Sequence, residues 1–361
     1  MQLSAPDSDE IEVTIFGRGV GECCLLHLGD DEWVIVDSFN HTEKSVDPIT
    51  RARTLVPVAH WYLDQLRVEA EDVKTIFITH FHQDHYVGLP ALRALYPKAR
   101  LVVTTALKAD LFSKLFSRTV DFDNLKVFGR EIVGARMATA TDPAGLLDYW
   151  GTGNTYTYGA TRVRLTALSP TRAAIDTSLT EIRAAFDTAD PADLRSRLKD
   201  ENLCSITIHV EGPGGAHVLL CSDLPAEPSQ YGWHAVLGEP SHGTLPKARI
   251  VKVPHHGSAG ADHPPMWDQL VDTKPHMMVT PYTPQSLPRR TDLERLCGRG
   301  DLWQATPTKW QSKDEFGFGD TKLPATGFIR ARRKYDEDDW RIEWEAPAFH
   351  VNPKMSGTSV P

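Results

Sequence analysis

Cysteine is scarce: the 361 residues hold five, at positions 23, 24, 204, 221 and 297, with no CxxC spacing among them. An odd count without that spacing excludes a disulfide framework and a cysteine-rich zinc site, and the thiols read as buried side chains in a reducing compartment. Long apolar runs are missing as well. No segment approaches the roughly 20 apolar residues of a membrane-spanning helix, and the opening MQLSAPDSDEIE is acidic where a secretory leader would be basic and then apolar. The expectation is a cytoplasmic protein with no membrane partner. Basic excess is absent too: 39 Lys and Arg against 48 Asp and Glu give a net charge of -9, a field that repels polyanions and excludes non-specific coating of DNA. Neither a fixed-period repeat nor a low-complexity tract occurs, which excludes solenoids and fibres.

What is present is alternation of strand and helix patterns. Ile11, Val13 and Ile15 alternate as a strand, followed by CCLLHL (23–28) and EWVIVDS (32–38). RTLVPVAHWYLDQLRV (53–68) carries apolar residues at helical spacing, VKTIFIT (73–79) reads as a buried strand, YVGLPALRAL (86–95) as a helix and RLVVTT (100–105) as a strand. Strands return at 204–210, 217–223, 248–254 and 276–282, and GFIRARRK (327–334) with DWRIEWE (339–345) forms a closing hairpin. Residues 107–200, with helical stretches such as LTEIRAAFDTADPADLRSRLKD (179–200), read as an elaboration over the core. The series predicts a layered α/β (α+β) protein, one domain over 1–350 with a frayed tail at 351–361.

The chemistry concentrates in His80-Phe81-His82-Gln83-Asp84-His85, where VKTIFIT ends and the next helix begins. Residues two apart in extended backbone project to one side, so His80 and His82 can grip one ion while the turn into the helix carries Asp84 and His85 toward a neighbouring position. Imidazoles with carboxylates and no thiolates suit zinc, manganese or iron with open coordination positions. Further ligands are expected at later strand ends. Asp223 follows HVLLCS and could bridge both ions; His255 and His256 follow ARIVKVP; Asp37 ends VIVD and could support the loop from behind or serve as a plain turn residue. Of the two adjacent histidines, His256 is favoured as the ligand and His255 as a group that supports the ligands from outside or transfers a proton.

This set resembles the metallo-β-lactamase superfamily: HFHQDH matches its HxHxDH signature, Asp223 its later metal-bridging Asp and His256 its last metal-binding His. The phrases GRGVGECCLL (17–26), ENLCSITI (201–208), LLCSDL (219–224) and VKVPHHGS (251–258) look like the ComEC-type branch, which includes the soluble domain of competence DNA-uptake proteins. The resemblance implies a four-layer αββα sandwich with the metals at one edge of the paired sheets. One departure stands out. Many members supply a third histidine to the first ion, yet here no histidine occurs between His85 and His209; the branch has an Asn-x-x-Ser stretch there, matched by Asn202 and Ser205.

The expected activity is hydrolysis with two divalent ions, foremost zinc, activating a hydroxide that Asp84 or Asp223 orients and relieves of its proton, with Asp84 and His255 as the candidate catalytic residues. A phosphodiester in a small molecule or nucleic acid is the first choice of substrate. Lactone, thioester or β-lactam hydrolysis and a non-catalytic metal-binding regulator are the rivals. Arg289, Arg290, Arg295 and Arg299 read as a solvated helix face or as an anion-binding rim.

Overall fold

The computed structural model describes residues 3–46, 53–108, 123–141, 146–159, 163–186, 201–226, 231–308, 310–311 and 326–351. Two eight-stranded sheets form its centre. From edge to edge the first runs Arg341–Glu345, Gly327–Lys334, Glu10–Gly17, Glu22–His27, Trp33–Val36, Val73–Ile78, Arg100–Thr104, Leu147–Trp150. The second runs Phe349–His350, Asp301–Gln304, Val271–Val279, Ala248–Lys252, His217–Leu220, Ile208–Glu211, Val163–Ala167, Thr155–Tyr158.

Apolar side chains on both faces of the central strands dictate the layering, because such strands must be covered twice. Ile11, Val13, Ile15, Val36 and Phe77 of the first sheet meet Leu165, Ile208, Val218, Ile250 and Met278 of the second in one buried layer. On the outer side of the first sheet, Ile35, Ile76 and Leu101 pack under Tyr62, Leu63, Leu92 and Phe128, carried by helices Val58–Gln65, Leu89–Leu95 and Asp123–Thr141. Leu219, Val251 and Met277 of the second sheet are capped by Trp233, Met266, Trp267 and Leu293 from helices Gly232–Gly238, Pro264–Leu270 and Arg290–Cys297. The order is helix, sheet, sheet, helix, as the sequence predicts. No helix among the described residues is long and apolar enough to cross a membrane.

Three local expectations change. The helix predicted over 53–68 starts at Val58, and Arg53–Pro57 is instead a strand paired with Asn40–Val46. Pro57 explains the boundary, since the residue before a proline is pushed out of the α region. The helix expected over 86–95 is split into Gln83–Tyr86 and Leu89–Leu95 around Gly88, where a Cβ would lie 2.1 Å from Ser38 Oγ. Finally, the stretch 107–200 supplies three sheet strands, Leu147–Trp150, Thr155–Tyr158 and Val163–Ala167, as well as helices. Two of them are edge strands with exposed or half-buried side chains, so they lack the apolar run that marks a central strand. The helix predicted over 179–200 is described as far as Phe186, within Arg172–Phe186; the rest lies outside the described residues.

Parallel pairing puts the chemistry on one edge. Trp33–Val36 and Val73–Ile78 are parallel, as are His217–Leu220, Ala248–Lys252 and Val271–Val279. Their carboxyl ends deliver Asp37, the HFHQDH loop, Asp223, His255-His256 and Thr280 to the same rim, the place where open parallel sheets bind ligands.

Candidate metal centre

Two imidazole nitrogens each face the same two carboxylate oxygens. His85 Nε2 lies 3.5 Å from Asp84 Oδ2 and 3.5 Å from Asp223 Oδ2, and His256 Nε2 lies 3.5 Å from each of the same two oxygens. Separations of 3.5 Å are those expected between donors ~2.1 Å from a shared ion, and within 4.8 Å Asp84 groups with His85 and His256 while Asp223 groups with His80 and His85. His85 Nε2 and His256 Nε2 are buried without a hydrogen-bond partner. Polar atoms left unpaired inside a protein are costly, so a buried set aimed at one point calls for a cation. The residues fit a divalent ion.

Each imidazole is held from behind, which fixes its tautomer. His85 Nδ1 donates to Asp37 Oδ2 at 2.7 Å, and His256 Nδ1 donates to the Thr280 carbonyl at 2.9 Å. His80 follows from hydroxyl accounting. Thr79 Oγ1 donates its one proton to Asp37 Oδ2 (2.8 Å) and accepts from Ser222 Oγ (2.8 Å), so at 3.0 Å His80 Nδ1 must be the donor to it. In its neutral form each of the three rings therefore turns the Nε2 lone pair inward. His80 Nε2 meets His82 Nδ1 at 3.0 Å, and His82 Nε2 contacts Glu201 Oε2 at 2.7 Å.

Charge follows the same logic. Burial alone would lower His85, but Asp37, Asp84 and Asp223 outweigh it and hold the imidazole well above its ordinary value; His256 is raised against burial by Asp223, Asp84 and Glu22. Burial keeps His80 neutral, well below the ordinary histidine range. Asp84, though burial pushes it up, is drawn down to about 2 by His85 and His256, and Asp223 falls well below the carboxylate range through His256, His85 and Lys252 despite its burial. Protons on His85 and His256 thus supply the positive charge the carboxylates demand.

A buried lysine completes the surroundings. Lys252, 1% exposed, pairs with Glu22 Oε1 at 2.6 Å, donates to the Ser222 carbonyl at 2.9 Å and lies 3.6 Å from Asp223 Oδ1. Glu22 Oε2 in turn accepts from Thr280 Oγ1 at 2.7 Å. Asp37, Ser222, His255 and His256 all adopt left-handed backbone, with φ of 62°, 48°, 44° and 52°. Non-glycine residues in that region concentrate at functional sites.

The predicted residues are thus gathered: His80, His82, Asp84, His85, Asp223 and His256 share the rim, and Asp37 backs the loop. His255 sits at its mouth, 22% exposed, with Nε2 4.0 Å from Asp223 Oδ2. His209 is elsewhere, on the helix side of the second sheet, its Nε2 on the Pro246 carbonyl at 2.8 Å. The arginines divide. Arg295 donates to the Gly257 carbonyl at 2.7 Å and, with Arg299, pairs with Asp262, so both brace the HHGS loop; Arg289 and Arg290 are exposed, Arg290 over Trp310. Sequence reasoning missed Glu22, Glu201 and Lys252. A lone lysine inside the apolar strand ARIVK was the one available signal.

The fold and rim define a class, and the comparisons agree with it. The description "Metallo-beta-lactamase superfamily" matches residues 17–227, more than half of the chain, and the chain belongs to that superfamily. Its members are metal-dependent hydrolases that hold one or two divalent ions, often zinc. Among solved structures, the metallo-beta-lactamase fold protein YhfI from Bacillus subtilis is 13% identical, with 82% of this chain and 96% of that one covered at a TM-score of 0.41. A Cronobacter sakazakii metallo-beta-lactamase with a HARLDQ motif is 16% identical (68% and 75% covered, TM-score 0.35). MEM-A1, a subclass B3 metallo-beta-lactamase from a soil metagenome library, is 14% identical (70% and 80% covered, TM-score 0.35). No curated protein matches the chain.

Proposed function

We propose that the protein hydrolyses phosphodiester bonds, as a nuclease or phosphodiesterase of the ComEC-type branch. Asp84, His85, Asp223 and His256 would hold one divalent ion and His80 with His82 a second. Bound there, such ions supply charge that polarises the scissile group and acidifies water near neutral pH. The chain's own residues do the rest. His255, lowered below the ordinary histidine value chiefly by burial, is neutral at pH 7 and takes a proton from the attacking water, then returns it to the leaving oxygen. Asp84, at about 2, accepts hydrogen bonds from the water and orients it without taking the proton.

The observation that carries the choice of bond is Arg18. It stands in the glycine loop 17–21, where Thr283 N donates to the Gly19 carbonyl at 2.8 Å and a Cβ on Gly21 (φ 118°) would lie 3.2 Å from the Asp84 carbonyl. That loop is strapped between Asp84 and Tyr282-Thr283, with the Tyr282 ring stacked on His256 at 5.0 Å. Arg18 Nη1 donates to the Asn40 carbonyl at 2.7 Å, its Nε is buried without a partner, and it pairs with no carboxylate among the described residues. A half-buried guanidinium with no carboxylate partner among the described residues, carried on a loop that packs against that rim, suits the non-reacting oxygens of a phosphodiester.

The test is metal analysis of protein purified without chelator, then turnover of bis-p-nitrophenyl phosphate, a neutral lactone and nitrocefin by wild type and Arg18→Ala. The expected result is bound divalent metal and phosphodiester turnover, with kcat/KM down about tenfold or more in the variant at low salt and lactone turnover unaffected. Cleavage of the lactone or nitrocefin alone would overturn the choice of bond. Bound metal without any turnover would favour a regulatory role.

A further inference from the structure

The first ion lacks its usual third imidazole, and the structure puts a carboxylate beside that gap. We infer that Glu201 is a positioning residue that orients His82 and sets the affinity of a loosely held, exchangeable ion at His80 and His82. This rests on the reading above that the centre holds divalent cations.

The segment after the gap lies directly against the HFHQDH loop. Glu201–Cys204 forms a single 3-10 turn, and Ile206 N donates to the Thr79 carbonyl at 3.0 Å, one residue before His80. The segment is pinned from the other side: Ser169 Oγ donates to the Ser205 carbonyl at 2.6 Å and accepts from Thr207 N at 2.9 Å. Glu201 thereby reaches His82 Nε2 at 2.7 Å with its side chain 15% exposed.

The consequence is a matter of lone pairs. A carboxylate oxygen only accepts, so His82 Nε2 carries the proton it shares with Glu201. With a single ring proton placed there, His82 Nδ1 presents its lone pair to His80 Nε2, itself unprotonated because His80 Nδ1 donates to Thr79. Two lone pairs 3.0 Å apart repel unless a proton or, in its place, a metal ion stands between them. Glu201 therefore creates a demand for an ion at that point.

It also leaves the two ions unequal. Asp84, His85 and His256 form a group whose ligand atoms lie within 4.8 Å of one another and His80 joins His85 and Asp223 in another, whereas His82 joins no such group of three among the described residues. Asn202 Oδ1 and Ser205 Oγ are buried nearby in sequence without partners, and as neutral oxygens they bind a borderline cation more weakly than imidazole does.

The experiment is zinc titration of the chelator-stripped full chain by calorimetry, with a competing chelator to resolve tight binding, for wild type, Glu201→Ala and Glu201→Gln. Far-UV circular dichroism of the stripped proteins checks folding. Wild type should bind two equivalents of unequal affinity. Glu201→Ala should weaken the looser one by about 10–100-fold, the usual effect of removing a ligand's hydrogen-bonding partner, and leave the tighter one unchanged. Glu201→Gln, which keeps an acceptor for His82 Nε2–H, should recover most of the loss. Unchanged binding in Glu201→Ala, equal loss of both equivalents, or Glu201→Gln as weak as Ala would each overturn the assignment. A wild type that binds no zinc would sink the metal-hydrolase reading itself, a separate outcome.

Discussion

Replacing Asp37 by asparagine isolates the role of a residue that touches no substrate. Asp37 Oδ1 accepts from Thr79 N at 2.8 Å, while Oδ2 accepts from Thr79 Oγ1 at 2.8 Å and from His85 Nδ1 at 2.7 Å. Asparagine tolerates the left-handed backbone found here (φ 62°), so the change adds little strain and keeps one acceptor. If that oxygen stays on Thr79 N, the amide NH2 faces two donors. His85 escapes the clash by moving its proton to Nε2, which removes the lone pair that Asp84, Asp223 and His256 converge upon. The cost is one charge-assisted hydrogen bond, about 1.5–3 kcal/mol, or roughly 10–100-fold in metal affinity, the range seen for such outer partners. Chelator competition with zinc measures it, and far-UV circular dichroism shows whether the fold survives. Wild-type affinity in Asp37→Asn would refute the reasoning and reduce Asp37 to a turn residue.

Two further outcomes follow from the charges. Lys252→Met strands Glu22 beside Asp223 and should cost about 3–5 kcal/mol in urea unfolding, while zinc affinity does not fall; an unchanged midpoint would contradict the buried pairing. The pH response should have opposite signs with and without metal. His85 and His256 are raised above 6.5 by neighbouring carboxylates, so their contribution to metal-free stability is complete below that pH and is lost as pH rises through their raised values. Zinc must displace those protons, so its affinity should climb with pH over the same window above 6.5, by up to about tenfold per unit for each proton displaced. Melting curves of stripped and zinc-loaded protein across that range check both signs, and parallel curves would refute them.

The HFHQDH loop was legible because its four candidate ligands fall within six residues, and Asp223 and His256 because each follows an apolar strand. Glu201 was not, since its partner His82 lies far back in the sequence and only the Ile206–Thr79 pairing brings them together. Glu22 and Lys252 were hidden for a similar reason: each looks like an oddity within its own strand, and their meaning comes from pairing across the two sheets. Thr155–Tyr158 escaped notice because an edge strand with three exposed side chains has no burial pattern to read. Arg295 misled in the opposite sense, since helical spacing alone cannot show that its guanidinium reaches the Gly257 carbonyl.

The pairing of Glu10–Gly17 with Gly327–Lys334 bears on how the chain is made. A ribosome emits the first of these strands more than three hundred residues before its outer neighbour. Until then the nascent sheet carries an open edge of unpaired amides and carbonyls, the kind of surface that recruits foreign strands. The buried Glu12 carboxylate waits equally long for Arg332, whose Nε meets it at 2.6 Å in the finished fold. Completion of the first sheet therefore waits until Gly327–Lys334 has been made, and a message truncated before Gly327 yields a product whose HFHQDH loop is present but whose supporting sheet cannot close.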